Sequence, residues 1–396
     1  MKRIMSKNKR CRVDFSIIII WYNVAKLLSF TPISIPLHGG ITKKFKLIPY
    51  LYPSILLIVY ITMTIHSFHT RFTTIYISFN ISQKILDILQ AITESCFITH
   101  VVLSSILKKS LWLKLRDNLT RTERKFSDIM TLSPEQQMPD ASLALIRVRI
   151  IIFHMGYVFA HLYDSITYWT WASYTLTFII FRITTYYIMF STLFIIFLCQ
   201  WLEHRYIYLN DLLKNSIKDH AWPAGFLLLP SEIGRQQNLQ EFSRHYRNLY
   251  LIVDNVNGVF NTCFFFITIC TALEILNAVN YGIPTSTKLD YIEILDHVIY
   301  LVLYMSCYIH LVTACERVRK SAATIGHTSL FLLTKIDMPH IKQELLTLNG
   351  YIQGLEPQFS ACDFWYIQQS NLSTLFASVI NFLIIIIQFH ITLKQK

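Results

Sequence analysis

Charge is scarce in this chain. Of its 396 residues only 15% are Asp, Glu, Lys or Arg, against 53% hydrophobic, a balance too apolar for a soluble fold and typical of a protein that crosses the membrane several times. Glycine is scarce as well, at ten residues, and no glycine-rich phosphate loop, nucleophile elbow or His-Glu-x-x-His pair occurs, which speaks against an enzyme and against a bound cofactor. None of the eight cysteines has zinc-ligand spacing with a partner. Cys96, Cys199, Cys263, Cys270, Cys307 and Cys315 lie in or at the edge of apolar runs and read as small buried hydrophobes. No internal repeat or low-complexity tract stands out. The apolar run Phe15 to Phe30 lacks a following small-residue cleavage site and is interrupted by Lys26, so it reads as an amphipathic or re-entrant helical segment at the membrane surface, ended by Pro32 and Pro36, rather than as a signal peptide.

What is present is a series of apolar runs, each long enough to cross a bilayer as a helix. They cover about Leu47–His66, Lys84–Leu107, Ile146–Tyr168, Leu176–Leu202, Val256–Tyr281, Ile292–Cys315 and Asn371–Phe389, which predicts an all-α membrane protein of seven transmembrane helices. Polar helical extensions are expected after the second, fourth and sixth. Beyond the sixth, Ile341, Leu345, Leu348, Ile352, Leu355 and Phe359 repeat at steps of four and three, the seam of an amphipathic helix that needs a partner outside the membrane. The expected organisation is a cytosolic segment over 1–46, spans one to six with a ligand pocket over 47–315, cytosolic anchor helices over 316–369, and a last span with a short outer tail over 370–396.

The positive charge is unevenly shared. Thirty of the 36 Lys and Arg fall in the N-terminal segment and the 2–3, 4–5 and 6–7 loops, and five on the other side. By the positive-inside rule the N-terminus is cytosolic and the C-terminus extracellular. The net charge of +12 is therefore a membrane-surface feature, with lipids and not nucleic acid as its partner. That topology is inverted relative to G-protein-coupled receptors, and Asp-Arg-Tyr after span three, Asn-Pro-x-x-Tyr in span seven and prolines within spans two to seven are all missing. The sequon Asn80-Ile81-Ser82 falls in the first outer loop, where glycosylation of Asn80 is expected.

In the last span Asn371, Thr374, Ser378, Asn381 and Gln388 recur at helical spacing, with Ile385 at the missing step. A polar stripe in lipid faces protein or water, so it is either a helix-packing seam or the lining of an aqueous path. The same stretch carries a resemblance. Asn381-Phe382, five apolar residues and Gln388-Phe389 resemble the Thr-Tyr-x5-Gln-Phe signature of insect gustatory receptors, with Asn-Phe in place of Thr-Tyr. Upstream, Phe359-Ser360-Ala361-Cys362-Asp363-Phe364-Trp365 resembles their Phe-Thr-Ala-x-Gly-Phe-Phe-like run, with Asp363 where a glycine is usual. The resemblance implies a tetrameric, ligand-gated, non-selective cation channel of the plasma membrane, homo- or heteromeric. Its last spans line one pore, and its cytosolic extensions form a shared anchor. With the stripe facing such a pore, Asn381, Ile385, Gln388 and Phe389 are the expected pore residues, with an apolar gate near Ile385, to which Phe389 contributes, below a polar ring at Gln388. Odorant receptors of the same superfamily share the layout without the Gln-Phe pair and stand second. A small-solute transporter is the alternative of another class. It would show repeats and helices broken near mid-membrane, whereas Gly156 and Gly258 are the only glycines in spans three and five.

Ionisable groups within spans mark sites, because they are costly in lipid. Glu94, Asp164, Arg182 and Glu274 fall toward the outer ends, among His100, His154, His161 and a set of aromatic residues. Tyr157, His161, Asp164, Tyr168, Arg182, Tyr186, Glu274 and Tyr304 are the expected ligand-binding residues. Carboxylates with ring faces suit polyols, and equally amines through cation–π contacts, so the expected ligand is a small tastant such as a sugar, bitter compound or amine. The alternative is a structural Asp164–Arg182 pair beside an interfacial aromatic belt.

Overall fold

The computed structural model describes residues 15, 18–32, 48–77, 81–130, 148, 152, 154–159, 162, 172–218, 232–282, 291–335 and 339–394. Among them the chain is helical apart from one two-stranded hairpin. The helices are α1 (Ile18–Leu27), α2 (Ile48–Thr70), α3 (Ile81–Leu107), α4 (Lys109–Met130), α5 (Ala172–Lys218), α6 (Glu232–Gly282), α7 (Tyr291–Leu333), α8 (Pro339–Gly354) and α9 (Ser370–Lys394). Most of the third predicted span lies outside the described residues, as do Asn80, His161, Asp164 and Tyr168 and the side chain of Phe389.

Five of these helices are long and apolar enough to cross a membrane, and the all-α membrane class stands. They are not equivalent. Of the most apolar stretch of α5, 83% is buried within the protein, against 17% for α2, so α5 is the central post and α2 presents Ile55, Ile58, Val59 and Ile65 outward. Cross-helix hydrogen bonds fix the directions. Ser82 on α3 meets Asn280 on α6, Gln90 meets Glu274, and Lys108 meets the Gly258 carbonyl, so α3 and α6 are antiparallel. Thr185 and Asn210 on α5 meet Tyr304 and Thr328 on α7, so those two run parallel. Apolar helices in lipid gain little from simple burial, and such polar pairs and close steric fit hold them together.

The extensions beyond the apolar stretches are continuous with them: α5, α6 and α7 are 47, 51 and 43 residues long. Their far ends pack with α4 and α8 into a second packing cluster that is continuous with the rest of one buried core. Phe126 lies edge-on to Tyr208 and His245, Tyr206 to Tyr246, and Gln240 donates to Glu344. In α8 the predicted seam is buried at Ile341, Leu345, Leu348 and Ile352. Its last two steps leave the helix, which stops at Gly354 because Pro357 disfavours helical geometry just before it. Gly326 lets α7 approach α8, since a Cβ there would sit 3.2 Å from Ile352 Cγ2. The N-terminal helix α1 exposes Ile20, Val24 and Leu27 but buries Trp21, Tyr22 and Ala25. Trp21 packs on Phe190 and Phe197, Tyr22 on Trp112 and Phe194. One face of the predicted amphipathic helix is thus seated on α4 and α5.

Between α8 and α9 the chain makes a hairpin, β1 (Ser360–Ala361) with β2 (Trp365–Tyr366), antiparallel with Ser360 opposite Tyr366. Cys362 and Asp363 turn it with φ of 52° and 60°. This is the left-handed region that glycine takes freely and aspartate tolerates, which gives a physical reason for the glycine usual at the place of Asp363. Ser360 Oγ donates to Asp363 Oδ1 at 2.7 Å and accepts from the Asp363 amide at 2.9 Å. Asp363→Gly is expected to leave the thermal midpoint of the solubilised protein nearly unchanged, and Asp363→Val to destabilise by about 1–2 kcal/mol, since a β-branched residue pays the full left-handed cost. Equal midpoints for the two variants would contradict this.

Candidate ligand-binding site

Buried polar residues converge on one seam among α3, α5, α6 and α7. Gln90 and Glu94 stand one turn apart on α3, and Glu274 and Asn277 one turn apart on α6. The Gln90 amide donates to Glu94 Oε1 at 3.0 Å and to Glu274 Oε2 at 2.7 Å, and its carbonyl accepts from Asn277 Nδ2. Tyr304 Oη donates to Glu94 Oε1 at 3.3 Å, and lies 3.4 Å from Thr185 Oγ1. All six are buried, Glu94 to 2% and Glu274 to 4% exposure. Two carboxylates at this depth are costly unless hydrogen-bonded, and one bridging amide serves both. Two polar atoms of the seam, Asn277 Oδ1 and Asn280 Nδ2, are buried without a hydrogen-bond partner among the described residues, capacity that a water or a polar ligand would use.

One turn nearer the N-termini of α5 and α7 sits a second group. The Arg182 guanidinium stacks over Tyr300, 3.9 Å from the ring centroid. Tyr157 donates to the Arg182 carbonyl at 2.8 Å and packs on Tyr186 with centroids 5.1 Å apart. The predicted binding residues with described side chains therefore form two layers: Glu274 and Tyr304 in the polar seam, and Tyr157, Arg182 and Tyr186 in an aromatic–cationic layer above it.

A crevice beside the seam, between α2, α3 and α5, is lined by Tyr60, Thr64, Ser67, Arg71, Glu94 and Thr184. It has room for about one water molecule, so a larger ligand requires the helices to part. Arg71 follows α2 in a π-helical turn (Arg71–Ile75). It is 3% exposed and pairs with Asp87, which also accepts from Tyr76 at 2.6 Å. In the sequence Arg71 stands just past an apolar run with nothing to mark its partner, and Gln90, Asn277 and Thr185 are uncharged residues within or beside apolar runs. The spacing of Gln90 to Glu94 and of Glu274 to Asn277, one helical turn each, was the available signal.

The last helix is differently placed. Leu375 and Val379 are buried against the bundle, with Leu372 and Leu383 partly so. Thr374, Ser378, Asn381, Ile385 and Gln388 are exposed on the single chain. The start of α9 is held by the hairpin, which α6 clasps: Asn257 Nδ2 donates to the Gln358 carbonyl at 2.6 Å, and its Oδ1 accepts from the Ser360 amide at 3.1 Å. Phe265 of the same helix packs on Phe364 and Trp365. Thus one rigid helix carries Glu274 at the seam and Asn257 at the root of α9.

The profile of the family described as 7tm Chemosensory receptor matches residues 18–393. The fold is similar to that of the insect olfactory receptor OR5 from Machilis hrabei in complex with eugenol, with a TM-score of 0.58 at 12% identity over 94% of this chain and 98% of that one. A second structure of that receptor gives a TM-score of 0.59 at 12% identity over 95% and 97%. A sequence search of curated proteins gave no match. At such identity the likeness speaks to fold, and the match across nearly the whole chain speaks to family: this protein belongs to the 7tm chemosensory receptor family.

Proposed function

We propose that the chain is a gustatory receptor, a ligand-gated, non-selective cation channel of the plasma membrane that depolarises a chemosensory neuron on binding a small tastant. The observation that carries the reading is the seam of two carboxylates, two amides and a phenol buried inside an otherwise apolar bundle. Those groups bind hydroxyls or ammonium groups far better than hydrocarbon, and so favour a sugar, a polar bitter compound or an amine. The Gln388-Phe389 pair of α9 supports the gustatory assignment. The olfactory reading stands second, favoured by the similarity to OR5, which binds eugenol. A transporter has less support, since α5, α6 and α7 run unbroken.

In this reading four chains surround one axis, as homo- or heterotetramer, with the exposed stripe of α9 facing it. The second packing cluster forms the cytosolic anchor. The N-terminus is cytosolic, so in unpermeabilised cells a C-terminal tag stains and an N-terminal tag does not. The opposite pattern removes the channel architecture.

The test of the site is calcium or current recording from expressing cells against a panel of sugars, protonated amines, bitter compounds and eugenol. Each charged hydrogen bond to a ligand is worth about 1.5–3 kcal/mol, so Glu94→Gln and Glu274→Gln should raise the half-maximal concentration of a polar activator by about tenfold or more. Surface expression should hold, because the glutamine amide retains hydrogen bonding. An activator whose potency neither variant changes would place the site elsewhere.

A further inference from the structure

We propose that Cys199 and Cys315 are a dithiol that a small peroxide closes into a disulfide, stapling α5 to α7 between the ligand seam and the far packing cluster. The two sulfurs lie 3.9 Å apart, in contact, and both residues are buried and unbridged. A disulfide brings sulfurs to about 2.05 Å, so closure asks for an approach of just under about 2 Å between side chains that already touch. The two parallel helices are held in register around the pair, which lies between two polar contacts that join them. Tyr304 and Thr185 meet on one side of it, and Thr328 donates to Asn210 at 2.7 Å on the other. The register that brings the thiols together is therefore fixed above and below.

The chemistry balances with hydrogen peroxide as the oxidant. One sulfur attacks the peroxide oxygen as its thiolate, breaking the O–O bond, and the departing hydroxide takes up the proton that the thiol released, giving a sulfenic acid and water. The second sulfur then attacks the sulfenic sulfur, forming the S–S bond and expelling the hydroxyl, which leaves as a second water with the thiol proton. Two thiols lose two electrons and the peroxide gains them. Burial sets the selectivity. Glutathione and alkylating reagents are too large to reach sulfurs that are 0% and 1% exposed, whereas peroxide is small and neutral. The same burial stops bulky thiols from reversing the bond, so in the folded protein the staple is durable rather than a fast switch. Cys96 is placed differently, on the outer surface of the single chain. The functional consequence follows from place: α5 and α7 carry Thr185 and Tyr304 of the seam, so a staple between the two helices fixes the spacing of those two groups.

The experiment uses the full chain in lipid nanodiscs, treated with hydrogen peroxide, then unfolded in N-ethylmaleimide and digested without reduction for mass spectrometry. The expected result is a peptide pair linked through Cys199 and Cys315, with a raised thermal midpoint. Both are lost in Cys199→Ser and kept in Cys96→Ser. Full N-ethylmaleimide labelling of Cys199 and Cys315 while Cys96 is oxidised would overturn the proposal, as would linkage of either to another cysteine. The readout needs no ligand, so it stands or falls independently of the assigned function.

Discussion

Arg205→Ala is expected to cost the protein about 3–5 kcal/mol and most of its surface expression, because it strips a buried carboxylate of its ion partner. Arg205 Nη2 lies 2.7 Å from Glu123 Oε2, with side chains 4% and 11% exposed. Trp201 Nε1 donates to the same oxygen at 3.2 Å, and the guanidinium lies over the rings of Trp201 and Phe126. The pair joins α4 to α5 where the second packing cluster begins. A buried ion pair is weak evidence of net stability, since its desolvation offsets its attraction, whereas breaking it is strongly destabilising. The double variant Glu123→Leu, Arg205→Leu should therefore recover much of what Arg205→Ala loses. The thermal midpoint of detergent-solubilised protein and surface labelling read both. A single variant as stable as the parent would show that the pair holds nothing.

The second large effect is on gating. Ile385→Asn is expected to raise ligand-independent current several-fold, and Ile384→Asn to do much less. Ile385 is 46% exposed on the single chain, in line with Asn381 and Gln388 and away from the packed residues Leu375 and Val379. A ring of such side chains around an axis closes a pore by excluding water, and a polar group on that ring hydrates it. Ile384 is exposed too, at 48%, so exposure to lipid or to a partner is the same for both and position on the stripe is what differs. Equal currents from the two variants would mean that the stripe is a packing seam.

The apolar stretches of the helices were legible in the sequence because hydropathy marks them, and the four buried residues of α8 because a one-sided helix writes its partner face into its spacing. The pairings between helices were not. Gln90 and Glu274 are 184 positions apart, and spans that are apolar all round give no sign of which faces meet. Arg71 illustrates the same gap: as a lone basic residue past an apolar run it reads as loop, and its partner Asp87 is found only once α2 and α3 are placed side by side. The hairpin left a single trace, the glycine usual at the place of Asp363. Of the expected binding residues, Glu274 and Tyr304 met in the seam through Gln90 and Glu94 rather than directly, a link that neither residue type nor spacing encodes.

The most direct measurement is single-channel recording from the purified chain in a planar lipid bilayer, with the activating compound of the panel added to the outer face. A ligand-gated cation channel gives discrete unitary currents that appear on addition, carry sodium and potassium alike, and become more frequent with dose. Saturating solute flux coupled to an ion gradient, with no unitary currents at any ligand concentration, would contradict it and identify a transporter.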